Sequence, residues 1–393
     1  MNNNDMIVNK ILFPVVLVLA ELTSFGQIRC GAERTEAYFP LLKHKEIAIV
    51  ANPASMIGKV HLVDSLYRAG IKIGVIFSPE HGFRKFSEAG QSINNTADSA
   101  TNIPILSLYG KKNKPVKTDF SDIDMVVFDL QDVGVRFYTY LSTLTYVMEA
   151  CAENNVPMLL LDRPNPNGFY IDGPVLEEQF SSFAGLYPVP VVYGMTIGEY
   201  AQMLNGEGWL KNGVICDLQV IALQNYTHHS HYQLPVNPSP NLRSMNAIYL
   251  YPSLCFFEGT KISVGRGTGF PFEIFGHPGM VAFSYAFVPE SIKGTGQNPI
   301  YNGQTCLGVN LTNFYANHPE MLGRINLSWL IMAFKAMGSK PDFFNDYFYK
   351  LAGNPTLRNQ ILQDLPESEI KQSWQPGLEK FKEIRRKYLI YNE

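Results

Sequence analysis

The sequence predicts an α/β protein built on a doubly wound, mainly parallel sheet, with a second and less regular unit after it. Two observations carry this. Between residues 46 and 223, short apolar runs rich in Ile, Val and Leu alternate with stretches of helical periodicity. Strands that are apolar on both faces are what a parallel sheet covered by helices requires. Past the stretch Pro235-Val236-Asn237-Pro238-Ser239-Pro240-Asn241 the alternation stops and strand and helix signals mix. This divides the chain into units at 40–244 and 245–393.

The first strand is Glu46-Ile47-Ala48-Ile49-Val50-Ala51, followed by a helix over 59–69 and a second apolar run over 71–77, a βαβ opening. Runs at 103–108 and 124–129 continue the strands, and a helix over 140–154 leads to another at 157–162. Thr196-Ile197-Gly198-Glu199 is a capping box, in which hydroxyl and carboxylate satisfy the first turn reciprocally, so a helix starts there and runs through Met203 and Leu204. The run 216–223 is one more strand. A basic amphipathic helix is expected near 376–388.

Of the 393 residues, 46% are hydrophobic and 17% charged, which supports sizeable cores and excludes a mostly disordered chain. Basic and acidic residues number 32 and 35, so no overall basic field is available to hold nucleic acid. Lys10, the apolar run 11–20 and the small residues Ser24 and Gly26 read as a cleaved signal peptide over 1–26. The run is too short to span a bilayer, so the mature chain is expected to be exported to the periplasm without a stable membrane span. Gln27-Ile28-Arg29 lacks the small residues that precede a lipidated cysteine, and no anchor at Cys30 is expected. The five widely spaced cysteines form neither a disulfide framework nor a metal knuckle and are expected as buried small hydrophobes.

In an open parallel sheet the ligand sits beyond the carboxyl ends of the strands. Those ends here are Asn52-Pro53-Ala54-Ser55, Ser78-Pro79-Glu80-His81-Gly82, Asp129-Leu130-Gln131-Asp132 and Asp162-Arg163-Pro164-Asn165-Pro166-Asn167-Gly168. They bring Glu80, Asp129, Asp132 and Asp162 toward one edge, with His81, Arg136, Arg163 and Asn165 nearby. Gathered carboxylates suit general acid/base chemistry, because burial and neighbouring charge drive their pKa values apart. A plainer reading stands beside each: Asp162 and Arg163 as a structural ion pair, Asp129 as a cap or turn residue. Glu80 stands out, because Pro79 fixes the backbone before it, Gly82 lets the chain turn after it, and glutamate is a poor turn former. Phe137-Tyr138-Thr139-Tyr140 suits stacking on a pyranose face or packing at a helix entry. Gly265-Arg266-Gly267-Thr268-Gly269 lacks the Lys-Ser/Thr ending of a phosphate loop. His228-His229-Ser230-His231 is expected exposed and without carboxylate partners, so no metal ligands are assigned. The strand-end aspartates with His81 leave a metal-dependent phosphoester hydrolase open.

Further motifs add a resemblance. In order, Ala51-Asn52-Pro53-Ala54-Ser55, Phe77-Ser78-Pro79-Glu80-His81-Gly82-Phe83-Arg84, Phe128-Asp129-Leu130-Gln131-Asp132-Val133-Gly134-Val135-Arg136-Phe137-Tyr138, Leu161-Asp162-Arg163-Pro164-Asn165-Pro166-Asn167-Gly168, Gly194-Met195-Thr196-Ile197-Gly198-Glu199, Pro238-Ser239-Pro240-Asn241 and Phe257-Glu258-Gly259-Thr260 make the chain resemble the exo-β-N-acetylmuramidase family, a glycoside hydrolase family. The resemblance runs from about residue 46 to the C-terminus. It implies a Rossmann-like N-terminal domain without an implied nucleotide, a smaller C-terminal α+β domain, a site in the cleft between them, and no cofactor. It also implies release of N-acetylmuramic acid from the non-reducing ends of peptidoglycan fragments, as part of cell-wall turnover or salvage, with muropeptides or disaccharides as partners.

Carried onto this chain, the resemblance points to Glu80 as the general acid, with Glu258 first and then Asp129 and Asp132 for the second carboxylate. Arg163, Arg136 and Arg266 are candidate clamps for the lactyl carboxylate, and Asn52, His81, Tyr138, Asn165 and Asn241 further substrate-binding candidates. Two positions depart from the family pattern, Gln91 after Ala89-Gly90 and Val264 in Ser263-Val264-Gly265-Arg266-Gly267-Thr268, where acidic residues are usual. They leave a non-catalytic muropeptide-binding relative as the alternative from another class. The sequence does not choose between monomer and homodimer.

Overall fold

A computed structural model describes residues 26–84, 95–292 and 297–393. The expected signal peptide up to residue 25, and Gln91, lie outside the described residues. Seven strands form one sheet: β1 (Glu46–Ala51), β2 (Lys72–Ser78), β3 (Thr96–Ala97), β4 (Pro104–Ser107), β5 (Met125–Asp129), β6 (Met158–Leu161) and β7 (Leu218–Ile221). Their spatial order is β3-β4-β2-β1-β5-β6-β7. All neighbours pair in parallel except the two-residue edge strand β3, which is antiparallel to β4. The chain builds outward from β1 in one direction, returns, and builds outward in the other. This is the doubly wound, Rossmann-like order, with its reversal between β1 and β5.

Side chains alternate between the two faces. Ala48, Val50, Val126, Phe128 and Leu160 enter one hydrophobic cluster, while Ile47, Ile49, Val127, Leu159 and Leu161 enter another. Both faces are covered, which is why the strands read as unbroken apolar runs. Helices α1 (Thr35–Leu42) and α2 (Leu62–Arg68) cover the second face through Tyr38, Leu42, Leu62 and Leu66. Helices α3 (Tyr140–Asn154) and α4 (Ile197–Gly206) cover the first with Leu141, Leu144, Met148 and Met203. The α4 capping box forms as expected, the Thr196 hydroxyl accepting from the Glu199 amide and the Glu199 carboxylate accepting from the Thr196 amide.

From residue 245 the chain forms α5 (Met245–Leu254) and a small antiparallel sheet of β8 (Ile274–His277), β9 (Tyr285–Phe287) and β10 (Cys306–Asn310). Helices α6 (Ser328–Ala336), α7 (Tyr347–Ala352), α8 (Thr356–Leu362) and α9 (Glu367–Arg385) follow, completing a smaller α+β part. The cluster on the first face of the parallel sheet continues without a break through Leu250, Phe256, Phe334, Phe348 and Trp374. The two parts therefore share one core. The helix expected near 376–388 is α9, which starts earlier, at Glu367, with Pro376 inside it. The expected span misses the first turns, whose Ile370 and Trp374 already belong to the buried stripe.

The last residues return to the parallel sheet's loops. The amides of Ile390 and Tyr391 donate to Glu199 Oε1 at 2.8 and 3.2 Å, and the Tyr391 hydroxyl donates to Asp162 Oδ2 at 2.6 Å. Among the described residues no helix is long and apolar enough to cross a membrane.

Candidate active site

A cleft of about 570 Å³ opens at the carboxyl edge of the parallel sheet, a size suited to a small ligand. Glu80, His81, Tyr109 and Thr139 line it from the strand-end loops, and Glu258, Arg266 and Tyr347 from the C-terminal part.

Glu80 follows β2 in a turn where His81 (φ 71°) and Gly82 (φ 91°) both take the left-handed conformation and the Gly82 amide donates to the Pro79 carbonyl at 3.2 Å. A histidine in that region is strained, a condition that clusters at functional sites. The Thr139 hydroxyl donates to Glu80 Oε2 at 2.7 Å, and the Tyr140 hydroxyl donates to the Glu80 carbonyl at 3.2 Å. One turn at the start of α3 therefore holds both the side chain and the backbone of Glu80, which is 8% exposed. Burial pushes the phenol of Tyr109 well above its ordinary range, and the neighbouring Glu80 carboxylate adds to this.

Glu258 lies in a 3-10 turn (Cys255–Gly259) that continues from α5. Its Oε1 accepts from Arg266 Nε at 2.7 Å, and Cys255 Sγ donates to Oε2 at 3.6 Å. The Arg266 guanidinium lies over the Phe272 ring, Cζ 5.0 Å from its centroid. Tyr347, the first residue of α7, faces both acidic groups: partial burial raises its phenol pKa, and Cys255, Glu258 and Glu80 add to the effect.

The structure gathers Glu80, His81, Tyr138, Asn241, Glu258 and Arg266 in the lining and places Asn52, Asp129, Asp132, Arg136, Arg163 and Asn165 outside it. Asp129 takes both Nε and Nη2 of Arg163, at 2.5 and 2.8 Å, with both side chains buried. This bidentate pair lies at the reversal of strand order and leaves neither residue facing the cleft. Arg163 therefore pairs with Asp129 and not with Asp162, the partner in the plainer of the two readings. Asp162 instead accepts from Thr196 Oγ1 at 2.7 Å, the Gly198 amide at 2.9 Å and the Tyr391 hydroxyl. Arg136 donates to the carbonyls of Pro174, Val189 and Leu351, tying the two parts together. Asp132 accepts from the Gly134 amide at 2.6 Å and from the Tyr193 hydroxyl, and burial pushes it up to about 6. Asn165 bridges the Asn167 amide and the Met195 carbonyl, and Asn52 donates to Tyr140 and accepts from the Ala54 amide. Each satisfies buried backbone or a buried partner, which irregular chain in an interior requires.

Tyr138 reaches the lining only at 5% exposure, with its hydroxyl on the Pro238 carbonyl at 2.7 Å and its ring edge-to-face with Tyr140. Packing at the helix entry accounts for most of its surface. His228, expected exposed, is buried with Nε2 3.1 Å from Glu199 Oε1. Among the described residues no three His, Cys, Asp or Glu side chains are grouped as metal ligands. All five cysteines are unpaired and buried.

Tyr109, Asn345 and Tyr347 are polar lining residues that the sequence does not single out. Tyr109 follows β4, whose end carries the same strand-end signal as the others, so it was findable. Asn345 and Tyr347 sit around a helix start far along the chain with no signal marking them for a site.

Residues 47–246 match the family described as exo-β-N-acetylmuramidase NamZ, N-terminal, and residues 249–391 match its C-terminal counterpart. The chain is 36% identical over 379 residues to the peptidoglycan β-N-acetylmuramidase NamZ of Bacillus subtilis (strain 168), covering 90% of this chain and 89% of the relative. It is also similar to two solved DUF1343 family proteins from Bacteroides fragilis NCTC 9343. One is 46% identical with a TM-score of 0.86, the other 26% identical with a TM-score of 0.75, and each alignment covers 93% of this chain and 99% of the other.

Proposed function

The chain belongs to the exo-β-N-acetylmuramidase family, and from that membership we propose that it hydrolyses the glycosidic bond of terminal N-acetylmuramic acid in peptidoglycan fragments, with Glu80 as the general acid. The observation that carries the role of Glu80 is its position: a carboxyl at the sheet edge, aimed into the cleft by a strained turn and held through Oε2 by Thr139. Glycoside hydrolysis needs a carboxyl that delivers a proton to the leaving oxygen as the bond breaks. Glu80 supplies it from the first part while the C-terminal part closes the opposite wall of the cleft.

In this reading the protein acts on fragments outside the cytoplasm, after removal of residues 1–26. The burial of Cys30, whose sulfur lies 3.7 Å from the Tyr232 hydroxyl, supports a chain without a lipid at that position. The test is hydrolysis of a chromogenic β-N-acetylmuramide by residues 27–393, beside the matching β-N-acetylglucosaminide and the Glu80→Gln variant. Release from the muramide, lost in the variant, is expected; no release by folded wild-type protein would refute the reading.

A further inference from the structure

We propose that Arg266 is the receptor for the lactyl carboxylate of the sugar, the group that distinguishes N-acetylmuramic acid from N-acetylglucosamine, and that Glu258 is the residue that positions it. The inference rests on the muramidase reading for the identity of the sugar, and on the geometry of the cleft for the assignment.

Among the described residues lining the cleft, Arg266 is the one Arg or Lys. Arg136 and Arg163, the other candidate clamps, are consumed by main-chain carbonyls and by Asp129. Arg266 spends only Nε on Glu258, at 2.7 Å, and no described residue accepts a hydrogen bond from its two terminal amino groups. A guanidinium held at Nε presents those two groups side by side, the fork that binds a carboxylate through two parallel hydrogen bonds.

The arginine is also prevented from swinging away. Its guanidinium lies over the Phe272 ring and is tethered by Glu258. Its backbone sits between Gly265 (φ 76°) and Gly267 (φ 80°), where a Cβ would come within 2.5 Å of Ile274 Cγ1 and of the Glu290 carbonyl, respectively. The Thr268 hydroxyl closes the turn on the Gly265 carbonyl at 2.7 Å, and Ser263 exchanges two backbone hydrogen bonds with Gly276 of β8. A turn that demands glycine on both sides and is pinned to a sheet presents its one long side chain in a fixed place. Beside it, Val264 contributes an apolar wall and no competing charge. Glu258 is thereby committed to orienting Arg266, and its expected role as second reacting carboxylate passes to a positioning role.

The test compares N-acetylmuramic acid with its lactyl methyl ester, which keeps the sugar and removes the charge. Calorimetric binding to wild-type residues 27–393 is expected to favour the acid by about 10- to 100-fold, the worth of a charge-assisted pair. Arg266→Met, folded by circular dichroism, should bring the two to near parity, with Arg266→Lys between. Equal binding of acid and ester by the wild type, binding of neither, or a preference that survives Arg266→Met would overturn the proposal. Glu258→Gln should lower the acid-over-ester binding ratio severalfold, because the tether at Nε is weakened; an unchanged ratio would overturn its positioning role. Wild-type cleavage of the muramide without acid preference would leave the hydrolase reading standing and this one fallen. Acid preference without cleavage would do the reverse.

Discussion

Thr139 gives its hydroxyl hydrogen to Glu80 across 2.7 Å from the residue that immediately precedes α3. The orientation of the proposed acid is thus set by the end of a loop from a different strand. Thr139→Val keeps the shape and removes the donor, and should lower kcat about tenfold with little change in KM, the net worth of one hydrogen bond. Thr139→Ser should restore most of it. Equal kcat in Thr139→Val and wild type would show that Glu80 needs no such partner.

Removal of the acid itself should cost far more. Glu80→Gln is expected to lower kcat by roughly 10² to 10⁴ while KM stays near its wild-type value, because the amide keeps the contact and loses the proton. Steady-state kinetics on the chromogenic muramide decide it, and a variant within tenfold of wild type would move the acid elsewhere.

Asp129 and Arg163 should behave as architecture. Asp129→Asn leaves a buried guanidinium without its counter-charge, and denaturant unfolding should show a loss of roughly 3–5 kcal/mol. The kcat of the protein that remains folded should be near normal. A variant of wild-type stability with collapsed turnover would instead put Asp129 in the chemistry.

Two other buried aspartates give the protein a pH signature. Burial pushes Asp132 and Asp162 each up to about 6 from an ordinary 3.8. Between those values the folded protein keeps protons that the unfolded chain has released, so stability falls as pH rises through that interval and levels off above it. Each contributes up to roughly 3 kcal/mol. Asp132→Asn should flatten its share of the slope between pH 4 and 7 in urea titrations; an unchanged slope would place its titration outside that window.

The parallel sheet was legible because its burial is written locally: the strands carry apolar residues on both faces, and Glu46–Ala51 and Tyr140–Asn154 match their expected spans. Glu80 was legible because Pro79 and Gly82 mark a turn around a residue that turns do not favour. The same strand-end signal also drew in Asp129, Asp132, Arg136, Arg163 and Asn165, whose polarity answers to buried loops and to each other. Sequence position cannot separate a carboxylate facing a cleft from one facing an arginine. Tyr347 and Asn345 were out of reach because the fold, and no local pattern, carries α7 to the sheet edge. The last helix was expected only from about 376, although its buried stripe begins at Ile370 and Trp374.

The return of Ile390 and Tyr391 to Glu199 and Asp162 has a consequence in time as well as in space. A ribosome delivers the strands and helices of the first half long before it delivers the tyrosine that completes their polar interior. Until then Asp162 lacks one donor and Glu199 lacks two, so the early half emerges as an unfinished enclosure. The donors that close this polar interior are thus supplied from a stretch almost two hundred residues or more away in sequence, and a polypeptide that stops before Ile390 lacks them.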